Sequence, residues 1–283
     1  MRENIKLAKK LFQTAENDLK AVEVLYNAGS YNIALFQLQQ SVEKFVKSYG
    51  IRMEIIKPED LSRKISHLPH KVFTRQYSGE AKKLIEQEKT PLLIADMIPP
   101  HQRGKGKTKE KIEGLEKLHD RINKVDIPKF KNITKKDLTQ FVKESKELEI
   151  EHQFNEEKLF KDLKEDFVKT HEHFKEYFKQ FKDDFLINDV KKRLEKTDEY
   201  VKHQVLNHKF KYRQEEKITY ITYVWVNLSL ITAPHEQSTR YPDLSSEETP
   251  EEYYTNENVV IEFMPKFIEL MKKTVEKFNE VFE

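Results

Sequence analysis

The 283-residue chain contains no cysteine, which excludes disulfides, thiolate catalysis and zinc sites built on sulfur. It has only six glycines, too few for the tight turns of an extensive sheet, so helices are expected. No apolar run approaches the roughly 20 residues that a membrane span requires. The N-terminal stretch MRENIKLAKKLFQTAENDLK scatters charges where a signal peptide would need an apolar core. The expectation is a soluble, cytoplasmic chain with no membrane partner. An excess of one charge sign is also lacking: 51 basic against 49 acidic residues leave a formal +2. The bulk field will therefore not draw nucleic acid, and any anion binding must be local. What the chain has in quantity is charge itself, 35% of residues against 37% hydrophobic, the balance of long solvated helices.

Periodicity orders these helices. Ile5, Ala8, Leu11, Ala15, Leu19, Val22 and Leu25 fall three or four apart, and the Asn27–Gly29–Ser30 turn supplies a C-cap. A second helix follows from Tyr31 to Tyr49, with Phe36, Leu38, Val42, Phe45, Val46 and Tyr49 on one broad face, and Gly50 closes it. Two amphipathic helices on a short connection predict an antiparallel hairpin. Far downstream, Ile218 to Ile231 is apolar on every side and must be buried all round. It stops at Pro234, after which His235, Glu236, Arg240, Tyr241 and Asp243 crowd beside prolines. A polar cluster at the mouth of a buried helix is where recognition or chemistry would sit. Between these parts, Pro91, Pro99, Pro100 and RGKGKTKEK read as loop. From Thr134 to Phe185, Phe160, Phe167, Phe174 and Phe181 recur every seven residues, predicting one long helix with an apolar seam. Asp189 to Tyr212 reads as a return arm. The last amphipathic helix runs from Val259 to Phe282, with Pro265 predicting a kink or a late start.

The hairpin residues Asp18, Leu19, Ala21, Leu25, Gly29, Tyr31, Ala34, Gln40, Glu43, Lys44 and Lys47 resemble the first two helices of HEPN domains. Ser66, His67 and Leu68 are similar to the start of that family's next element, with Ser where the family has Gly and Leu68 one residue early. His235, Arg240, Tyr241, Pro242 and Asp243 match its A-P-H-x-x-x-x-RYPD segment. The resemblance covers residues 5–72 and 215–283. It implies an up-down helical bundle, usually paired as a homodimer, formed here by residues 1–72 plus 215–283. Residues 73–214 would then be an insertion, loop-rich over 73–133 and built of long charged helices over 134–214.

The same resemblance directs attention to two groups of residues. The nuclease branch of the family cleaves RNA without metal through Arg-x(4–6)-His, a histidine acting as acid or base and an arginine stabilising the phosphate. Arg63 and His70 have that spacing but flank the middle of the bundle rather than its last helix, so a polar turn is the competing reading. His235, Arg240 and Asp243, together with Gln40, Glu43, Lys44, Lys47 and His67, form the second group, expected to bind a nucleotide or an RNA phosphate. For these the alternatives are a structural corner and a solvated helix face. A nucleotidyltransferase partner and a toxin or defence ribonuclease follow from this resemblance, while a protein-interaction scaffold is the alternative that the charged helical hairpin of the insertion suggests. The GKT at Gly106–Thr108 lacks the preceding strand and first glycine of a phosphate loop. Neither His171/His173 nor His203/His208 makes the i, i+4 pair of a zinc helix, so no metal or cofactor is expected.

Overall fold

The computed structural model describes residues 2–65, 67–89, 105–150, 154–241 and 248–282. Among these there are helices and turns but no strand. The chain divides into two compact units, Met1–Lys82 with Gly114–Ile150 and Lys217–Glu283, and Lys83–Glu113 with Glu151–Glu216.

The first unit begins with the hairpin of α1 (Arg2–Asn27) and α2 (Tyr31–Arg52). Its turn is set by Gly29 at φ +78, a left-handed position that costs glycine nothing. Gly29 N–H donates to the Tyr26 carbonyl and Ser30 N–H to that of Leu25, each at 3.0 Å, closing the last turn of α1. The two helices meet along small residues. Ser48 Oγ donates to the Ala8 carbonyl at 2.8 Å and Ser41 Oγ to that of Ala15 at 2.9 Å. Such bonds from one helix's side chain to another's backbone require close approach, which alanine opposite serine permits. The same register carried one heptad further sets Val22 against Ala34, both fully buried.

Helix α2 is the centre of the bundle. Leu35, Leu38, Val42, Phe45, Val46 and Tyr49 are all sealed from solvent, and so are small or polar residues on its other sides, Ser41 and Ser48 among them. The C-terminal half of α8 (Thr197–Thr232) lies against it. The Trp225 ring stacks on Phe45 at 5.6 Å and meets Tyr49 edge-on at 6.0 Å, while its indole N–H donates to Thr274 Oγ1 at 3.0 Å on the last helix. The two distant segments that resemble one family therefore share one core. Fully burying an aromatic ring of this kind contributes roughly 1.5–3 kcal/mol, and the Trp225 N–H is satisfied rather than stranded.

Of the span assigned from sequence to an insertion, residues 114–150 cluster with this first unit. Helix α3 (His70–Lys89) opens with the buried Val72 and Phe73. Helix α4 spans Lys105–Asn123. Helix α5 (Lys135–Glu149) turns Leu138, Phe141 and Val142 into the core, with the Phe141 ring 6.2 Å from Phe267 and 6.0 Å from Tyr223. A single helix from Thr134 to Phe185 does not form. Thr134 starts α5 with a capping box to Asp137, Ile150 ends it, and Asn155 caps a new helix through Lys158 N–H at 2.8 Å. Helices α9 (Pro250–Tyr253), α10 (Val259–Glu262) and α11 (Met264–Phe282) complete the unit. The break at Phe263 puts Pro265 in the first turn of α11, the late start its ring requires.

In the second unit, α6 (Glu156–Gln180), α7 (Asp184–Glu195) and the first part of α8 form a charged arm. Its buried side chains are few: Val190, Val201 and Val205 with Thr197. The seven-residue phenylalanine seam is only half-buried, no residue of α6 being fully covered, although Phe167 stacks on His171 at 3.8 Å and contacts Tyr200 at 4.9 Å. Phe185, at the start of α7, is 80% exposed. Among the described residues no helix is long and apolar enough to cross a membrane.

Candidate functional site

The polar residues of α2 occur where the central helix passes the 3-10 turn after α8. Glu43 is a buried carboxylate, and burying an ion is tolerable only when it is paired. Lys47 Nζ supplies the pair at 2.6 Å, one turn along the same helix, and Gln39 Nε2 donates a second bond at 3.3 Å. His67, on the segment leading to α3 and 60% exposed at its side chain, places Nδ1 3.3 Å from Glu43 Oε2 and 3.4 Å from Glu236 Oε1. Carboxylates only accept, so both contacts call for a proton on Nδ1.

Glu236 links the group to Arg240. The Arg240 Nη2 lies 3.6 Å from Glu236 Oε1 and its Nε donates to the Glu236 carbonyl at 3.2 Å. The guanidinium is 4.8 Å from the centre of the Phe36 ring on α2 and 5.3 Å from that of the exposed Tyr241. With 38% of its side chain exposed, Arg240 presents a cation held between two aromatic rings. From Lys47 to Arg240 the order of groups is cation, carboxylate, imidazole, carboxylate, cation. Protonation of His67 would give the group an excess of one positive charge.

His235 sits beneath this surface, 2% exposed. Its Nδ1 meets Tyr254 Oη at 2.8 Å, and that hydroxyl meets Ser238 Oγ at 2.8 Å. Burial first, and the Lys131 charge second, push the His235 imidazole down to about 4, so it is neutral at physiological pH. Its Nε2 has no hydrogen-bond partner. Asn32 of α2 ties the same turn down, donating to the Thr239 carbonyl at 3.3 Å and to Glu251 Oε1 at 2.9 Å.

The other sequence candidates separate from this group. Lys44 pairs with Asp18 of α1 at 2.5 Å, beside Gln37, which donates to the same carboxylate at 2.7 Å. Gln40 spends its amide on Gln39 Oε1 at 2.6 Å. Arg63 falls in a single turn of π-helix, Leu61–Ile65, and its side chain lies outside the described residues, as does Asp243. His70 begins α3 with 6% of its surface exposed and Nδ1 unpartnered, and burial pushes its imidazole down to about 4. No group of three or more metal-ligating side chains occurs among the described residues. Sequence reasoning placed Glu236 and Tyr241 in the polar cluster but missed the link from Glu236 to His67, and it read Phe36 only as part of the apolar face of α2. The Glu236/Arg240 spacing of four was the available signal for the contact between those two.

A helical bundle with a polar cluster where its central helix meets the turn after a buried partner helix defines a class rather than a reaction. Residues 8–151, about half the chain, match the HEPN domain family, and the chain belongs to it. That match runs through α3, α4 and α5, of which α5, the first part of α3 and the second part of α4 cluster with the first unit. No curated protein and no solved structure matches the chain.

Proposed function

We propose that the chain is a HEPN module of the RYPD branch that binds a nucleotide or an RNA phosphate at His67, Arg240 and Lys47. In this reading Glu43 and Glu236 hold the three cationic or ionisable groups in place, and His235 acts from below through Tyr254 and Ser238. The observation that carries it is Arg240, half-exposed between the Phe36 and Tyr241 rings, because a guanidinium beside an open aromatic face suits a phosphate with its base stacked alongside. Asp243, one of the residues matching the family segment, belongs to the proposal by that resemblance. A homodimer through the bundle and a nucleotidyltransferase partner extend the same reading. The insertion in this reading is the second unit, Lys83–Glu113 with Glu151–Glu216.

Thermal stabilisation by ATP and by a short RNA tests it directly. A ligand that binds only the native state adds about 2.7 kcal/mol at a hundred times its dissociation constant. Arg240→Ala should weaken binding at least tenfold, the loss of one charge-assisted contact of roughly 1.5–3 kcal/mol. Absence of any shift with either ligand rejects the proposal.

The second reading is metal-independent RNA cleavage, favoured by the exposed His67 ring, which is oriented through Nδ1 by two carboxylates and keeps its other nitrogen for a substrate. His67→Ala would abolish cleavage of mixed RNA in EDTA, whereas His70→Ala would remove it only if the Arg63/His70 pair were the active one.

A further inference from the structure

A second site lies in the first unit and shares no residue with the one above. A groove of about 510 Å³ runs between α1, the end of α2 and the end of α11, lined by Ile5, Lys9, Phe12, Arg52, Asn279 and Phe282 among others. Its floor is aromatic. Phe12 stacks on Phe278 at 4.6 Å, and Phe278 lies 4.5 Å from Phe282. Those ring faces are engaged with one another, and Arg52 lies over the Phe282 ring at 5.7 Å. What remains toward the groove suits alkyl contact better than the stacking of a nucleobase.

The rim has one sign of charge. Lys9 and Arg52 line the groove, and among the described residues no carboxylate does. Neither cation is paired with an acid among the described residues. The Arg52 guanidinium is held by Nη2 donating to the Phe282 carbonyl at 2.9 Å, so its other donors are oriented before any ligand arrives, which lowers the ordering cost of binding. Asn279 adds an amide, while Ser48 is already committed to the Ala8 carbonyl. An apolar floor with two cations and no acid among the described lining residues is complementary to a molecule with an alkyl body and one anionic head, and the volume is that of a small-ligand site.

We infer that this groove binds a medium-chain alkyl carboxylate, its chain along Ile5, Phe12 and Phe278 and its head between Lys9 and Arg52. The chain carries its own reporter, since its one tryptophan, Trp225, lies 5.8 Å from the Phe278 ring. Decanoate, titrated into the full-length protein below its micelle threshold, should change Trp225 fluorescence saturably. Decanol and inorganic phosphate, which keep only the chain or only the charge, should bind at least tenfold more weakly. Lys9→Glu and Arg52→Gln, both at the rim, should each weaken decanoate at least tenfold, and Lys9→Glu should do so without altering the melting temperature appreciably. No saturable response to decanoate, equal binding of decanol, or unchanged affinity in Lys9→Glu would overturn the assignment. Loss of nucleotide binding in Arg240→Ala has no bearing on this test, so the two sites stand or fall separately.

Discussion

Mild acid should destabilise the first unit through two buried histidines. His70 and His235 are both buried and both held down to about 4, against an ordinary 6.5. Their folded-state values are depressed, so the unfolded chain binds protons that the folded chain refuses. Stability is therefore complete above pH 6.5, falls as pH drops toward 4, and levels off below it. Each pH unit in that window costs about 1.36 kcal/mol per histidine. At pH 5.0 the loss is about 2 kcal/mol for each, roughly 4 kcal/mol together, a large share of a typical stability of about 5–15 kcal/mol. Carboxylates with lowered values, such as Asp137 and Glu144, lose their contribution only as pH falls through their ordinary 3.8 and 4.5 and below, so the histidine effect is read between pH 6.5 and 5.0. Urea unfolding followed by Trp225 fluorescence at pH 7.5, 6.0 and 5.0 reads the first unit. His70→Leu orphans no partner, because His70 Nδ1 has none, and it should halve the acid-induced loss. A wild-type stability that is flat between pH 6.5 and 5.0, or a His70→Leu variant with the full wild-type slope, refutes the reasoning.

The remaining expectations concern single contacts. Lys47→Met strands the buried Glu43 carboxylate and should cost about 3 kcal/mol in urea unfolding, while Glu43→Leu added to it should restore most of that loss. Ala15→Leu forces bulk into the α1–α2 seam where Ser41 reaches the Ala15 carbonyl, and a cost of about 1–3 kcal/mol or more is expected. Glu54 holds φ 56 after the end of α2; Glu54→Gly should raise stability by roughly 0.5–1 kcal/mol, because glycine adopts that backbone without a Cβ conflict. A lower midpoint for Glu54→Gly would show that its side chain matters more than its backbone.

The hairpin was readable in the sequence because its signals are local: a 3.6-residue period, a glycine at the one left-handed turn position, and a short connection. The buried half of α8 was readable for a similar reason, since a helix apolar on every side has only one place to be. Helix α5 was not. Leu138, Phe141 and Val142 form an ordinary amphipathic stripe, and nothing in such a stripe says which core it will join. The break after Ile150 depended on Asn155 as a cap, a short-range signal masked by the seven-residue phenylalanine spacing on its far side. At the candidate site the residue types were legible but their depths were not. His235 and His67 look alike in sequence, yet one is buried under Tyr254 and the other is open between two carboxylates. Depth is a property of the elements that arrive from elsewhere in the chain.

The central position of α2 has a consequence for synthesis. Its Phe45 side needs Trp225, which lies 180 residues later in the chain. At about 5–20 residues per second, the ribosome takes roughly 10–40 seconds to deliver it. During that interval the hairpin can close through its alanine and serine contacts, but the opposite flank of α2 stays bare and adhesive. Nascent chains should therefore be held by chaperones or by each other until α8 emerges, and release should coincide with that helix rather than with the end of the hairpin.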